Sequence, residues 1–287
     1  MKRRFGPTFM ALMASLLLPA CTAVDVLNKF SSERGLQVSR DIAYGAAARQ
    51  KLDIYTPENV AKAPVVMFFY GGGWTDGVKS DYRFVAASLA AQGFVVVVPD
   101  YRLYPDVRFP EFMRDGAEAT LWIKENISAH GGDANRIVLM GHSAGAYIAA
   151  MLTLDPQWLG AVGLKPADAI TAGIGIAGPY DFLPLRDPEL KEIFGNPDTL
   201  ARTQPINFVD GKAPPMLLVA GKADKRVNPG NTKRLAERIK AKGGRVATIF
   251  YPRIGHAEII GAFAPALRFM APVFEDVTRF IRAETKQ

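Results

Sequence analysis

Residues 136–154 read RIVLMGHSAGAYIAAMLTL. The opening RIVLMGH is a short continuous apolar run of strand length, and AYIAAMLTL is a run of good helix formers. Between them GHSAG sets Ser143 between Gly141 and Gly145, where the strand stops and the helix begins. A serine in so sharp a turn points its hydroxyl out of the sheet. The two glycines let strand and helix approach where a β-carbon would clash. The free amides at the helix start, with their positive dipole end, face the serine oxygen. Ser143 therefore reads as a nucleophile, provided the rest of the chain supplies a base, an acid and an anion cradle.

The runs PVVMFFY, FVVVVPDY, ITAGIGIAG, PMLLVAG and VATIFYP repeat the apolar pattern of RIVLMGH. Helical patterns lie between them: DYRFVAASLAAQ, FMRDGAEATLWIKENI and NTKRLAERIKAK. Strands apolar throughout must be covered on both faces, which predicts an α/β fold: a doubly wound, mostly parallel sheet with helices on both faces. LQVSRDIAY and QKLDIYTP precede it as an antiparallel pair. The domain is expected to span 36–287. A proline-rich segment at about 179–215 breaks the rhythm and reads as a small insertion before the acid-bearing strand, of the kind that builds a pocket wall. No long segment precedes the first strands, so no large N-terminal lid is expected.

Ligands in such sheets sit beyond the carboxyl ends of the strands. A serine hydroxyl needs a base, and histidine is the natural one at neutral pH. Three are available. His142 adjoins Ser143, and its side chain is expected to point elsewhere. His130 precedes a strand, at the amino edge. His256 follows the last strand and is left as the base. Asp224, just past PMLLVAG, is the acid that would orient it, with Asp181 as the alternative. Lys222, Lys225 and Arg226 lie close to Asp224 in sequence. The oxyanion donors are expected to be the amides of Ala144, after the nucleophile, and of Gly72 and Gly73 in FFYGGGW, where consecutive glycines let amides converge on one point. Trp74, Phe182 and Leu183 are candidate pocket residues.

The chain has 287 residues, 49% of them apolar, enough for a full core. Its formal charge of +7 falls to +4 without Lys2, Arg3 and Arg4, and the remaining charges are scattered, which gives no case for nucleic-acid binding. Residues 1–20 carry the basic start, apolar stretch and small residues of an export signal. Cys21 is the only cysteine, so no internal disulfide can form. Its setting, LLPAC, resembles a bacterial lipobox. The resemblance implies lipidation of Cys21 at the head of a spacer at 21–35, membrane association through that anchor and, with Thr22 next, an outer-membrane location facing the periplasm; plain signal cleavage and an uncleaved anchor are the alternatives.

The marks YGGGW, PDYRL, GGDANRIVLMGHSAG, GKADKRV and the final GH resemble the α/β-hydrolase superfamily, in its carboxylesterase branch near the hormone-sensitive-lipase-like and formamidase-like esterases. The resemblance covers about Gln37 to Ile281. It implies an α/β-hydrolase fold and hydrolysis of esters with small to medium acyl groups through an acyl-enzyme on Ser143. Tyr70 stands where the family's oxyanion motif usually begins with histidine, and Asp100, Tyr101 and Arg102 are expected to brace that loop. An aryl formamidase and a carbohydrate acetyl esterase would use the same triad. A non-catalytic envelope lipoprotein is the reading from a different class. Nothing in the sequence points to a metal or an organic cofactor, or to a protein partner.

Overall fold

The computed structural model describes residues 27–29, 31–195 and 197–286. The export segment at 1–20 and Cys21 lie outside them. Among the described residues the strands form one eight-stranded sheet: β1 (Leu36–Ala43), β2 (Lys51–Pro57), β3 (Ala63–Phe69), β4 (Val95–Pro99), β5 (Gly132–His142), β6 (Ala172–Ile176), β7 (Met216–Gly221) and β8 (Val246–Tyr251). Their spatial order is 1-2-4-3-5-6-7-8. β1 pairs antiparallel with β2, and β2 antiparallel with β4; every later pairing is parallel. The expected antiparallel pair and six parallel runs are thus the strands observed.

The composition of each strand matches its place. β4, β6 and β7 are buried at every residue, so both faces of the central sheet are covered, whereas edge strand β8 is only partly buried. Val95, Val96, Val97 and Val98 are fully buried. Each stabilises the fold by roughly 1.5–3 kcal/mol relative to exposure, and β-branching suits the pleated surface they form.

The covering helices are α1 (Arg83–Ala90), α2 (Glu111–Asn126), α3 (Ala144–Leu154), α4 (Pro156–Gly160), α5 (Pro166–Ala169), α6 (Pro188–Phe194), α7 (Gly230–Ala241), α8 (His256–Gly261) and α9 (Val273–Glu284). α3 is buried on all sides, packed on β5 and β6 and covered by α2, which is why its sequence is apolar all round rather than striped. α7, on β7 and β8, and α9, on β6, sit at the surface and bury one face each, whereas α1, packed on β2 and β4, is buried at every residue but Arg83.

Between β6 and β7 the chain carries α6 and 3-10 turns at Pro197–Thr203 and Pro205–Phe208. Asp187 caps α6, its carboxylate accepting from the Glu189 amide at 2.8 Å. Ile193 and Phe194 on α6 are buried. The segment is also pinned by side chains: Asn231 Oδ1 accepts from the amides of Tyr180 and Asp181 at 2.9 and 2.8 Å, and Gln204 Oε1 accepts from Phe182 at 2.7 Å.

Candidate active site

The β5–α3 junction is as tight as the glycines of GHSAG imply. A β-carbon on Gly141 would lie 2.1 Å from the Gly145 carbonyl oxygen, and one on Gly145 would lie 2.1 Å from that of Phe69. No side chain fits at either position. Ser143 between them has φ 54° and ψ −121°, a conformation costing on the order of 1–3 kcal/mol for a residue with a β-carbon. Its amide donates to the Ile176 carbonyl at 2.9 Å, and its own carbonyl accepts from Tyr147 at 3.1 Å. These bonds hold the strained turn in place.

His256 opens α8 and Asp224 lies just beyond β7, so Ser143, Asp224 and His256 meet at the carboxyl edge of the sheet. His256 Nδ1 donates to Asp224 Oδ2 at 2.7 Å, and Ser143 Oγ donates to His256 Nε2 at 2.9 Å. The other carboxylate oxygen of Asp224 accepts from the amides of Arg226 and Val227 at 2.8 and 2.9 Å. With its side chain only 1% exposed, Asp224 is held by backbone amides rather than by the lysines and arginine beside it in sequence. Asp181, the alternative acid, pairs instead with Arg234. His130 ends the 3-10 turn before β5, at the opposite edge.

His142 departs from expectation. Its side chain does not turn away from the site: the ring centroid lies 4.8 Å from that of His256, and Nε2 donates to the His256 main-chain carbonyl at 3.1 Å. Burial and the neighbouring His256 push its pKa down to about 3, so the ring is neutral at neutral pH. The other ring nitrogen is buried without a partner among the described residues. The sequence placed His142 only relative to Ser143 and carried no sign that the two histidine rings would meet.

The YGGGW loop approaches from β3. Gly72 has φ 138°, and a β-carbon there would lie 1.9 Å from the Asp76 carbonyl oxygen. The Gly72 carbonyl accepts from the amides of Thr75 and Asp76 at 3.1 and 3.0 Å, which curls the loop on itself. Gly73 and Ala144 line the same cavity as Ser143. The Ala144 amide opens α3 and has no carbonyl one turn back to meet within the helix.

Beneath the loop sits a polar group. Tyr70 donates to Asp100 Oδ1 at 2.8 Å, and Tyr101 donates to the Tyr70 carbonyl at 2.8 Å. Arg102, expected to brace the loop, ties instead to the fully buried Asp115 on α2, with bonds of 2.7 Å from its amide and 2.7 Å from Nη2. Arg49 and Lys79, which no sequence motif singled out, join this group: Arg49 donates to Tyr70, Gly77 and Tyr101, and the Lys79 amide donates to Asp100 at 2.7 Å. Burial raises the Tyr70 pKa well above the ordinary tyrosine value, so its hydroxyl stays protonated and can donate.

The cavity at Ser143 measures about 850 Å³. Its apolar lining is formed by Trp74, Phe182, Leu183, Leu190 and Val227, among others. Trp74 meets Tyr147 and Phe194 edge-on, with centroids 5.3 and 4.8 Å apart, and these contacts fix the wall. Its polar lining includes Asp181, Arg186, Asp187, Glu189, Lys225, Arg226, Asn228, Asn231 and Arg234. A serine lining such a cavity, a histidine hydrogen-bonded to it and a buried aspartate behind the histidine are an arrangement that acyl transfer could use.

Residues 52–239 match the family model described as BD-FAE. Isoprenylcysteine alpha-carbonyl methylesterase ICME of Arabidopsis thaliana is 29% identical, over 94% of this chain and 67% of the relative. Esterase LipC of Mycobacterium tuberculosis is 29% identical over 78% of this chain and 58% of that protein. The chain therefore spans about two thirds or less of the length of these curated relatives. Among solved structures, a truncated carbohydrate esterase from gut microbiota superposes with a TM-score of 0.78 at 21% identity, covering 89% of this chain and 99% of the other. The carboxylesterase EstE1, from a metagenomic library, superposes with a TM-score of 0.78 at 19% identity, over 92% and 94%. At those identities the likeness is one of fold.

Proposed function

Because the chain belongs to the BD-FAE family, among the α/β-hydrolase carboxylesterases, we propose that it hydrolyses carboxylic esters of small to medium acyl groups through an acyl-enzyme on Ser143. The observation that carries this reading is the unbroken relay from Asp224 through His256 to Ser143, at 2.7 and 2.9 Å. His256 takes the hydroxyl proton as Ser143 Oγ attacks the ester carbonyl. Asp224 holds the imidazole in the required tautomer and supports the imidazolium. The amides of Gly72, Gly73 and Ala144 receive the oxyanion. His256 then protonates the departing alcohol, and a water activated by the same ring releases the acid.

A carbohydrate ester is the second reading. It is supported by the polar lining of the cavity, where Arg186, Glu189, Lys225 and Asn228 offer donors and acceptors suited to a hydroxylated alcohol. Both readings are tested by one panel: p-nitrophenyl acetate and butyrate, an acetylated oligosaccharide, a methyl ester and an N-formyl aromatic amide, with Ser143→Ala as control. Ester turnover abolished in the control is expected. A preference of orders of magnitude for the formamide, or full activity without the serine hydroxyl, would overturn the proposal.

A further inference from the structure

Arg49 stands 21 residues before the glycine loop, in the turn between β1 and β2, yet it holds both ends of that loop. Its Nη2 donates to the Tyr70 hydroxyl at 2.8 Å and to the Gly77 carbonyl at 2.7 Å, and its Nε donates to the Tyr101 carbonyl at 2.9 Å. Tyr70 is where the loop leaves β3, and Gly77 is where its curl ends. The Tyr70 hydroxyl is fully used: it accepts from Arg49 and donates to Asp100 Oδ1. Asp100 in turn receives the Lys79 amide just past Gly77, and its carboxylate lies 3.8 Å from Arg49. The neck is narrow, since a β-carbon on Gly77 would lie 2.8 Å from the Gly71 carbonyl and 2.9 Å from the Tyr70 ring. A planar fork of N–H groups can bridge three acceptors around such a neck; a lysine ammonium, a point charge on a longer flexible arm, cannot reproduce that geometry.

We infer that Arg49 is a positioning residue for the oxyanion cradle: by closing the Tyr70–Gly77 neck it fixes where the Gly72 and Gly73 amides point. The inference rests on the ester-hydrolase reading of Ser143. Arg49 touches no reacting atom and acts through the loop. The oxyanion forms only in the transition state, so a loosened loop lowers kcat and leaves KM nearly unchanged.

The test uses the full-length protein with Arg49→Met, Arg49→Lys and Tyr70→Phe. Exhaustive titration with diethyl p-nitrophenyl phosphate, which phosphorylates the serine and releases one p-nitrophenolate per competent site, gives the concentration of folded sites. Turnover of p-nitrophenyl butyrate is then expressed per titrated site. The expected result for Arg49→Met is a fall in kcat of about tenfold to a hundredfold with KM within about twofold. The inhibition constant of an aryl trifluoromethyl ketone, whose hemiketal oxygen occupies the cradle, should weaken by the same factor. Arg49→Lys should recover only part of the loss. Tyr70→Phe keeps the ring stack on Tyr82 and Tyr101 and tests the neck even where Arg49→Met does not fold; it should lower kcat in the same sense. Unchanged kcat per site and unchanged ketone inhibition, with only a lowered melting temperature, would reduce Arg49 to a scaffold contact. A raised KM at constant kcat would place it in substrate binding instead. A wild-type protein neither titrated by the phosphate nor active on the ester would overturn the esterase reading itself, and this inference with it.

Discussion

His142 Nε2 lies 3.1 Å from the main-chain carbonyl oxygen of His256, so the residue preceding Ser143 props the backbone of the histidine that meets it. A neutral ring carrying its proton on Nε2 suffices for this bond, and burial keeps the ring neutral by pushing its pKa down to about 3. In the unfolded chain the same imidazole titrates near 6.5. Between those values the unfolded state binds the extra proton. Stability from this group is therefore complete above about pH 6.5 and is lost as pH falls toward 3, with a slope of up to about 1.4 kcal/mol per pH unit. Urea unfolding from pH 7 down to pH 4 should show a steeper loss for wild type than for His142→Phe, which has no proton to bind. Parallel curves for the two would refute a buried neutral histidine.

Ser143 occupies a left-handed conformation that its own β-carbon disfavours. Ser143→Ala and Ser143→Gly should both abolish ester turnover. Ser143→Gly should melt higher than Ser143→Ala, by a few degrees for about 1 kcal/mol of relieved strain. Equal melting temperatures measured by calorimetry would show that the turn stores no strain at this residue.

Asp224 presents one oxygen to His256 and the other to two backbone amides. In Asp224→Asn those amides retain the carbonyl oxygen, which leaves the NH₂ facing His256. The imidazole must then reverse its tautomer, and its lone pair no longer meets the serine proton. A drop in kcat of about 10³–10⁴ is expected, with little change in KM or fold. A loss under tenfold in steady-state kinetics would point to another acid.

The two oxyanion-loop glycines should differ sharply. Gly72→Ala drives a methyl group into the Asp76 carbonyl, at 1.9 Å, whereas a methyl on Gly73 meets no atom nearer than 3.8 Å and is disfavoured chiefly by φ 63°. Gly73→Ala should cost about 1–2 kcal/mol, and Gly72→Ala substantially more, as read from denaturant midpoints. The reverse order would show that the loop curls differently.

Cys21 bears on location alone. With lipidation at the LLPAC site, Cys21→Ser should end labelling by a palmitate analogue and move the protein from the membrane to the soluble fraction, with ester turnover unchanged. Membrane association unaltered by the substitution would remove the lipid anchor from the account.

Much of this architecture could be read in advance because it depends on local rules. Val95 to Val98 announce a strand covered on both faces, and Gly141 and Gly145 announce a turn too tight for side chains. His256 stands out by elimination among three histidines: strand direction excludes His130, and His142 adjoins the nucleophile candidate in sequence. His142 and Arg49 escaped that reasoning. Arg49 belongs to no pattern at fixed spacing, and the GHSAG pattern that holds His142 does not say where its ring rests; each acts on a carbonyl or hydroxyl that becomes its neighbour only when distant segments close.

Residue order alone specified the alternation of elements, the edge of the sheet where Ser143 emerges and the candidates for its partners, because periodicity and glycine placement act over a few neighbouring residues. Folding in three dimensions settled which carboxylate meets His256, what supports the glycine loop and where His142 rests. Those outcomes turn on ångström distances between residues up to 114 positions apart, and hydrogen bonds select among candidates only once the packed core has fixed those distances.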